Sequence, residues 1–374
     1  MSTSQNRMPL IDAFKAIASQ LILLHHLSSY GPLAASAREI LPGTMGWLFD
    51  YGRMAVQVFL VIAGFLAARG LSGHGQALSA PLLPLLWKRY LRLIIPFMVA
   101  IALAIVGSAI ADHWMDDDAI PDRATLGQWL AHATLLHGIL GAESLSAGVW
   151  YVAIDFQLFA LMALLLWLGR RAYVAPTLVL SLTLASLFLF NRDTSLDNWA
   201  PYFFGAYGLG AAAWWASGRH QMLSWLGAIA TVATAALVID FRLRILVALI
   251  VALTLGLSRR TGLLERWPDS ALLNFFGQIS YSVFLVHFPI LLLTNAFFAH
   301  FELSSPGMAI FGLLTAWTAS LVVATGFYRW VESPAASQRL IGALGWLWAR
   351  ASDVGQLAGR MLRLALRRIV FGRS

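Results

Sequence analysis

The chain has 374 residues, 59% of them hydrophobic and only 12% charged, with a formal net charge of +8. Soluble domains run nearer about 45–50% apolar and about 25% charged, so this composition excludes an ordinary soluble fold and points to a polytopic membrane protein. Cysteine is absent, which excludes disulfides, thiolate nucleophiles and iron–sulfur ligation. The positive charge, mostly arginine in loops and tail, reads as orientation and lipid-headgroup contact rather than nucleic-acid binding.

Runs long enough to span a bilayer, about 17–25 residues each, are predicted in ten places. They are 12–31, 47–68, 90–111, 149–169, 173–190, 199–216, 222–240, 245–258, 272–298 and 307–330. The 245–258 run is short and is expected to tilt or to pair with 222–240. No small-residue cleavage site follows a short apolar region, so the first segment is expected to stay in the membrane. Ten spans place both termini on one side. Arg69, Lys88, Arg89, Arg92, Arg170, Arg171, Arg219, Arg259, Arg260 and Arg266 fall in one set of loops. The opposite set holds the acid- or polar-rich stretches DHWMDDDAIPDR (112–123), NRDTSLDN (191–198) and HFELSSPG (300–307). Lys and Arg favour cytoplasmic loops, so both termini are expected in the cytoplasm.

Two segments fit no span. LGQWLAHATLLHGIL (126–140) is short and mildly amphipathic, and is expected either to lie along the outer interface or to dip into the protein. The tail, 339–374, sets Arg350, Arg360, Arg363, Arg367 and Arg368 among Trp, Leu and Ile, which suits an amphipathic helix on an anionic inner leaflet. The expected fold is therefore all-α and polytopic, with about ten transmembrane helices in residues 1–338 and a basic cytoplasmic tail. No internal repeat of the transporter type is evident.

Ionisable residues at membrane depth are costly and are usually partnered and functional. Lys15 and His26 lie eleven residues apart in the first run, which at roughly 100° per residue returns to the same helix face, about 16 Å further along. His25 falls about 80° away from that face. Counting residues from the loops puts His26, His287 and Asp155 together in the outer half of the bilayer, an acid–base constellation. A second layer gathers at the inner surface: Lys15, Lys88, Arg89, Arg92, Arg329 and Glu332. Grouped cations there suit a phosphate-rich ligand. Each residue also has a plainer reading. Arg89 and Arg92 serve as topology anchors, Glu332 pairs with Arg329, and His287 hydrogen-bonds a backbone carbonyl. Asp155 pairs with a buried cation, and Trp150 and Tyr151 sit in the interfacial aromatic belt.

Six motifs in order resemble the integral-membrane acyltransferase family 3 over nearly the whole chain. They are Lys15 with His26; VFLVIAGFLAAR (58–69); Lys88-Arg89 with Arg92 and Pro96; Trp150 with Asp155-Phe156; SYSVFLVHFP (280–289); and Glu332 with Pro334. Departures from the family pattern are Lys15 for the usual arginine, Asp155 for glutamate, Ala63 for serine and Gln57 for an acid. The resemblance implies O-acylation, most often O-acetylation, of a glycan or other hydroxyl compound. The donor would be cytosolic acetyl-CoA, and the acceptor lipid-linked or extracytoplasmic, at the cell inner membrane. On that reading His26 is general base or transient acyl carrier, and His287 and Asp155 orient it or stabilise charge. Lys15, Arg89, Arg92 and Arg329 hold CoA phosphates, while Trp150, Ser280 and Tyr281 touch substrate; no metal is expected. Two other readings stay open from the residues alone. A transporter or flippase would use the same ionisable groups for protons or substrate, and a bis-histidine haem protein would use His26 and His287.

Overall fold

The computed structural model describes residues 7–169, 173–303, 305–340 and 342. The expected amphipathic tail beyond residue 342, and Arg170 and Arg171, lie outside them. Among the described residues there are helices and turns but no strand. In chain order the helices are α1 (Pro9–Ser29), α2 (Gly31–Ile40), α3 (Pro42–Tyr51), α4 (Val56–Leu71) and α5 (Leu82–Trp114). Then come α6 (Leu126–Ala133), α7 (Trp150–Leu168), α8 (Val174–Phe188), α9 (Ala200–Ser217) and α10 (Met222–Ile239). The last are α11 (Leu243–Thr261), α12 (Leu263–Arg266), α13 (Ala271–His300) and α14 (Pro306–Phe327), which runs into a π turn at Tyr328–Glu332. Proline occupies the first turn of α1, α2, α3, α9 and α14, where its missing N–H removes no helical hydrogen bond. A reciprocal capping box between Thr125 and Gln128 starts α6.

Eight helical segments are long and apolar enough to cross a membrane: Pro9–Ser29, Pro42–Leu71, Leu82–Trp114, Trp150–Leu168, Val174–Arg192, Met222–Ile239, Ala271–His300 and Pro306–Glu332. The chain is an all-α, multi-pass membrane protein. Two of the ten expected runs, α9 and α11, form as helices but fall outside this set. In α9 every residue except Pro201 is buried, so protein rather than lipid surrounds it and tyrosine, tryptophan and glycine are tolerated. Its glycines let neighbouring backbones approach closely. A Cβ on Gly64 of α4 would stand 1.8 Å from the Tyr207 carbonyl oxygen, and one on Gly210 would stand 2.0 Å from that of Val61. The other helix, α11, carries Arg244, Arg259 and Arg260 near its ends.

The interior falls into two main apolar clusters. One joins α4, α8, α9 and α11 around Phe65, Phe204 and Tyr207. The other joins α1, α5, α13 and α14 around Phe97, Ile101 and Val286. Helix α7 contributes to both, through Leu158 and Met162 to the first and Val152 and Ala153 to the second. The segment 126–140 shows two faces: Ala131, His132, Leu135 and His137 are buried, while Leu126, Leu130, Leu136 and Leu140 are exposed. Leu135, Leu145 and Val149 are buried with Phe97, and the Tyr90 hydroxyl donates to the Ala133 carbonyl at 2.6 Å.

Candidate functional site

A cavity of about 1020 Å³ opens between α1, α5, α7 and α13, with Glu332 of the π turn on its wall. It sits at the upper end of the roughly 300–1,000 Å³ typical of small-molecule sites. Along α1 the lining residues Lys15, Ser19, Ile22 and Leu23 follow helical spacing. The next residue on that stripe is His26. It is 8% exposed and lies with its ring centroid 4.8 Å from that of His287, which lines the cavity. Lys15, Ser19, Ile22 and Leu23 thus face the cavity, while His26 is outside its lining and meets it through His287. His25 turns away, its Nδ1 lying 3.1 Å from the Leu48 carbonyl of α3.

The two imidazoles differ in their surroundings. His287 Nδ1 lies 3.0 Å from the Val283 carbonyl, an atom that only accepts, so that nitrogen carries a proton. In the neutral ring Nε2 is then the lone-pair nitrogen, and it is buried with no partner. His26 Nδ1 is likewise buried without a partner, while the ring stacks on Tyr30 at 5.5 Å. The plainer reading of His287, a backbone hydrogen bond, is therefore present, and it leaves the other nitrogen free for chemistry.

At the other end the lining collects Arg7, Lys15, Lys88, Arg89 and Arg92 against Asp12, Asp155 and Glu332: five cations and three carboxylates. Lys15 lies 4.0 Å from Asp12, a contact that leaves its ammonium available to others. The expected layering needs one correction. Asp155 was placed with the histidines and Arg89 with the inner cations, yet Arg89 Nη2 meets Asp155 Oδ2 at 2.5 Å. Helix α5 begins at Leu82, ahead of the expected span at 90–111, so Arg89 lies inside the helix rather than at its mouth and reaches Asp155. Asp155 thus takes its cationic partner and no imidazole. The guanidinium also lies over the Phe159 ring at 5.2 Å, and its Nε is buried without a partner.

The other candidates divide. Ser280 and Tyr281 line the cavity, but the Ser280 hydroxyl donates to Gly277 O at 2.9 Å and the Tyr281 hydroxyl to Leu93 O at 3.4 Å. Trp150 is outside the lining and stacks on Phe203 with centroids 5.4 Å apart. Arg329 is exposed on the π turn, outside the lining. Glu332 accepts a hydrogen bond from Ser282 and makes no ion pair with Arg329 among the described residues. The reading from sequence missed Asp12, Tyr151, Asn274 and Gln278 as lining residues. The last two follow i, i+4 spacing on α13, and the same face continues to Tyr281 and Phe284; that polar ladder on an apolar helix was the available signal.

A multi-pass helical bundle with a cationic cavity that reaches His287, itself packed on His26, has the groups for acid–base group transfer. The comparison with known families agrees. The signature of acyltransferase family 3, an acyltransferase domain, matches residues 9–328, and the chain belongs to that family. It is a membrane acyltransferase. Searches of curated proteins and of solved structures gave no match.

Proposed function

We propose that the protein transfers an acetyl group from cytosolic acetyl-CoA to a hydroxyl of a cell-envelope glycan or exopolysaccharide precursor. It would do so in the cell inner membrane with both termini in the cytoplasm. The observation that carries this reading is the continuity of one cavity, from the Lys15, Lys88 and Arg92 cations to His287, against whose ring His26 packs. The cations suit the phosphates of the donor. The distance along α1 from Lys15 to His26, about 16 Å, is comparable to an extended pantetheine arm.

On this reading His26 is the general base. Its Nδ1 proton would use the lone pair of His287 Nε2 as acceptor, after a small rotation of either ring, leaving His26 Nε2 to take the proton of the acceptor hydroxyl. His287 is then a positioning residue, in the way a carboxylate orients the histidine of a hydrolase triad. Arg89 and Asp155 form the wall between phosphates and chemistry, and the unpartnered Arg89 Nε is a donor for the thioester end of the ligand.

The test is an assay of purified protein in lipid nanodiscs, supplied with acetyl-CoA and hydroxyl-bearing glycan acceptors. CoA release should match ester formed, mole for mole. CoA release without ester in every acceptor tried, or ester formation independent of acetyl-CoA, would reject the reading. Single cysteines placed near Asp117 and Arg260 should be labelled from opposite sides of the membrane, since no native thiol competes.

A further inference from the structure

Toward the imidazoles the cavity wall turns apolar, with Ile22 and Leu23 of α1, Phe59 of α4 and Val283 and Phe284 of α13. One polar side chain interrupts it. Tyr151, the second residue of α7, lies one helical turn before Asp155 and so shares its face. Its ring meets that of Phe284 edge-on at 5.5 Å and that of Phe59 at 6.2 Å, and Phe284 in turn lies 6.3 Å from the His287 ring. The Tyr151 N–H donates to Gly148 O at 3.0 Å. A Cβ built on Gly148 would stand 3.2 Å from the Phe284 ring and 3.7 Å from His26 Nε2. Tyr151 is thus placed between the Arg89–Asp155 pair and the two histidines.

The hydroxyls of the lining differ in what they already hold. Ser19 donates to Ala16 O at 2.9 Å and Ser280 to Gly277 O at 2.9 Å, while Tyr281 reaches Leu93 O at 3.4 Å. Tyr328 and Ser337 lie with Glu332 at the cationic end, on the π turn and just beyond it. The Tyr151 hydroxyl makes no hydrogen bond among the described residues, and it opens onto the cavity. It stands close enough to Arg89 and Asp155 for both charges to act on it. On this wall two donors, the Tyr151 phenol and Arg89 Nε, are therefore left without acceptors among the described residues. A phenol held in place by two aromatic rings needs little reorganisation to donate to charge that develops beside it.

We infer that the Tyr151 hydroxyl donates to the thioester carbonyl oxygen of the acyl donor and holds the oxyanion of the transfer step. This rests on the proposed acyl-transfer reading. The acceptor hydroxyl gives its proton to His26 as its oxygen bonds to the thioester carbonyl carbon. The carbonyl electron pair moves to oxygen, which accepts from Tyr151. Collapse re-forms the carbonyl and breaks the carbon–sulfur bond. The thiolate leaves and takes the proton back from His26, so ester and free thiol are the products. Tyr151 keeps its own proton throughout, and Phe59 and Phe284 only position its ring.

The closing experiment removes one oxygen and leaves the ring. Tyr151→Phe should lower kcat by roughly 10²–10³-fold, the loss typical of one oxyanion donor. Its acetyl-CoA affinity should fall by less than about tenfold, the scale of one neutral hydrogen bond. The second readout is the infrared carbonyl band of isotope-labelled acetyl-CoA bound to the protein in nanodiscs. A hydrogen bond lowers that frequency, so the band should rise in Tyr151→Phe, a change that a merely structural tyrosine would not produce. A kcat within a few-fold of wild type, or a band at the same frequency in both proteins, would overturn the inference. A wild-type band at the frequency of the thioester in an aprotic solvent would overturn it without any variant. Ester formation by the wild type checks the proposed function separately. A band that responds to Tyr151→Phe, with no ester made from any acceptor, would keep the carbonyl contact and reject the acyl-transfer reading. Full transfer by Tyr151→Phe would keep that reading and reject Tyr151.

Discussion

Two buried polar regions of this molecule can be compared directly. Around the α10–α11 connection, Arg242 donates to Asn191 Oδ1 at 3.0 Å and to Leu187 O at 2.8 Å, and its Nε lies 3.4 Å from Asp240 Oδ2. Its neighbour Arg244 donates to Asn191 O at 2.6 Å and lies over the Tyr202 ring at 4.7 Å. Around the cavity, by contrast, Arg89 Nε, His26 Nδ1 and His287 Nε2 are buried with nothing to bond. Native structures rarely leave buried polar groups unpaired, and each exception asks for a reason. In the first region folding supplies every acceptor needed to hold charge in an apolar bundle. In the second, on the proposed reading, the two imidazoles turn to pair with each other and Arg89 Nε takes its acceptor from the donor.

The largest expected effect tests the cavity side of that contrast. His26→Ala should lower acyl transfer by about 10²–10⁴-fold, the usual loss of a general base, while acetyl-CoA binding persists. His25→Ala, whose ring contacts the α3 backbone instead, should be mild. The assay is product formation and CoA release on folded, membrane-inserted protein. Near-normal turnover in His26→Ala, or equal losses in both, would remove the α1 stripe from the reaction path.

The structural side predicts the opposite signature. Arg242→Met strands the acceptors on Asn191 and Leu187 and unpairs a buried cluster, so it should cost about 2–5 kcal/mol of stability. The KM for acetyl-CoA of the fraction that folds should not move. A changed KM with unchanged thermal stability would show that this arginine cluster is no purely structural counterpart to the cavity.

What the sequence made legible follows from where side chains meet lipid. Long apolar runs and the alternation of arginine with acidic loops mark the spans, because lipid selects for both. The α1 stripe was legible because Lys15 and His26 share a face whatever surrounds the helix. Helix α9 was found but not its setting: Gly64 and Gly210 act through the backbones opposite them, and a single sequence does not say which backbones those are. The Arg89–Asp155 pair was misplaced for another reason. Its level follows from where α5 begins, at Leu82 rather than near residue 90, which carries Arg89 inside the helix to meet α7.

A smaller effect sharpens the cationic end. Arg92 lines the cavity, and the described residues give it no ion pair. Arg92→Ala should weaken acetyl-CoA binding about tenfold or more, since a hydrogen bond to a charged group contributes roughly 1.5–3 kcal/mol. Acceptor binding should be little changed. Unaltered donor affinity in a correctly inserted variant would return Arg92 to the role of topology anchor and leave Lys15 and Lys88 to hold the phosphates.

The smallest expected effect concerns a polar pair that belongs to neither region, in α6 and the turn after it, outside the membrane-spanning helices. His132 and His137 stack with ring centroids 4.2 Å apart and planes within 3°, beside Phe97. His132 is anchored: Nδ1 lies 2.8 Å from Gln128 O, and Nε2 accepts from Leu145 N–H at 3.3 Å. Neither ring nitrogen of His137 has a partner, and burial together with the neighbouring imidazole lowers its pKa to about 4. Its folded-state pKa lies below the unfolded value of about 6.5, so the unfolded chain binds the extra proton between those limits. Stability from the neutral ring is complete above pH 6.5 and is lost progressively as pH falls toward 4, by no more than about 2 kcal/mol at pH 5. Burial shifts His132 in the same direction, so the pair adds to one acid-labile slope. His137→Phe, which keeps an aromatic ring in the stack, should flatten that slope between pH 7 and 5 in thermal unfolding followed by intrinsic fluorescence. An unchanged slope would mean that the segment holding His132 and His137 opens before the bundle does.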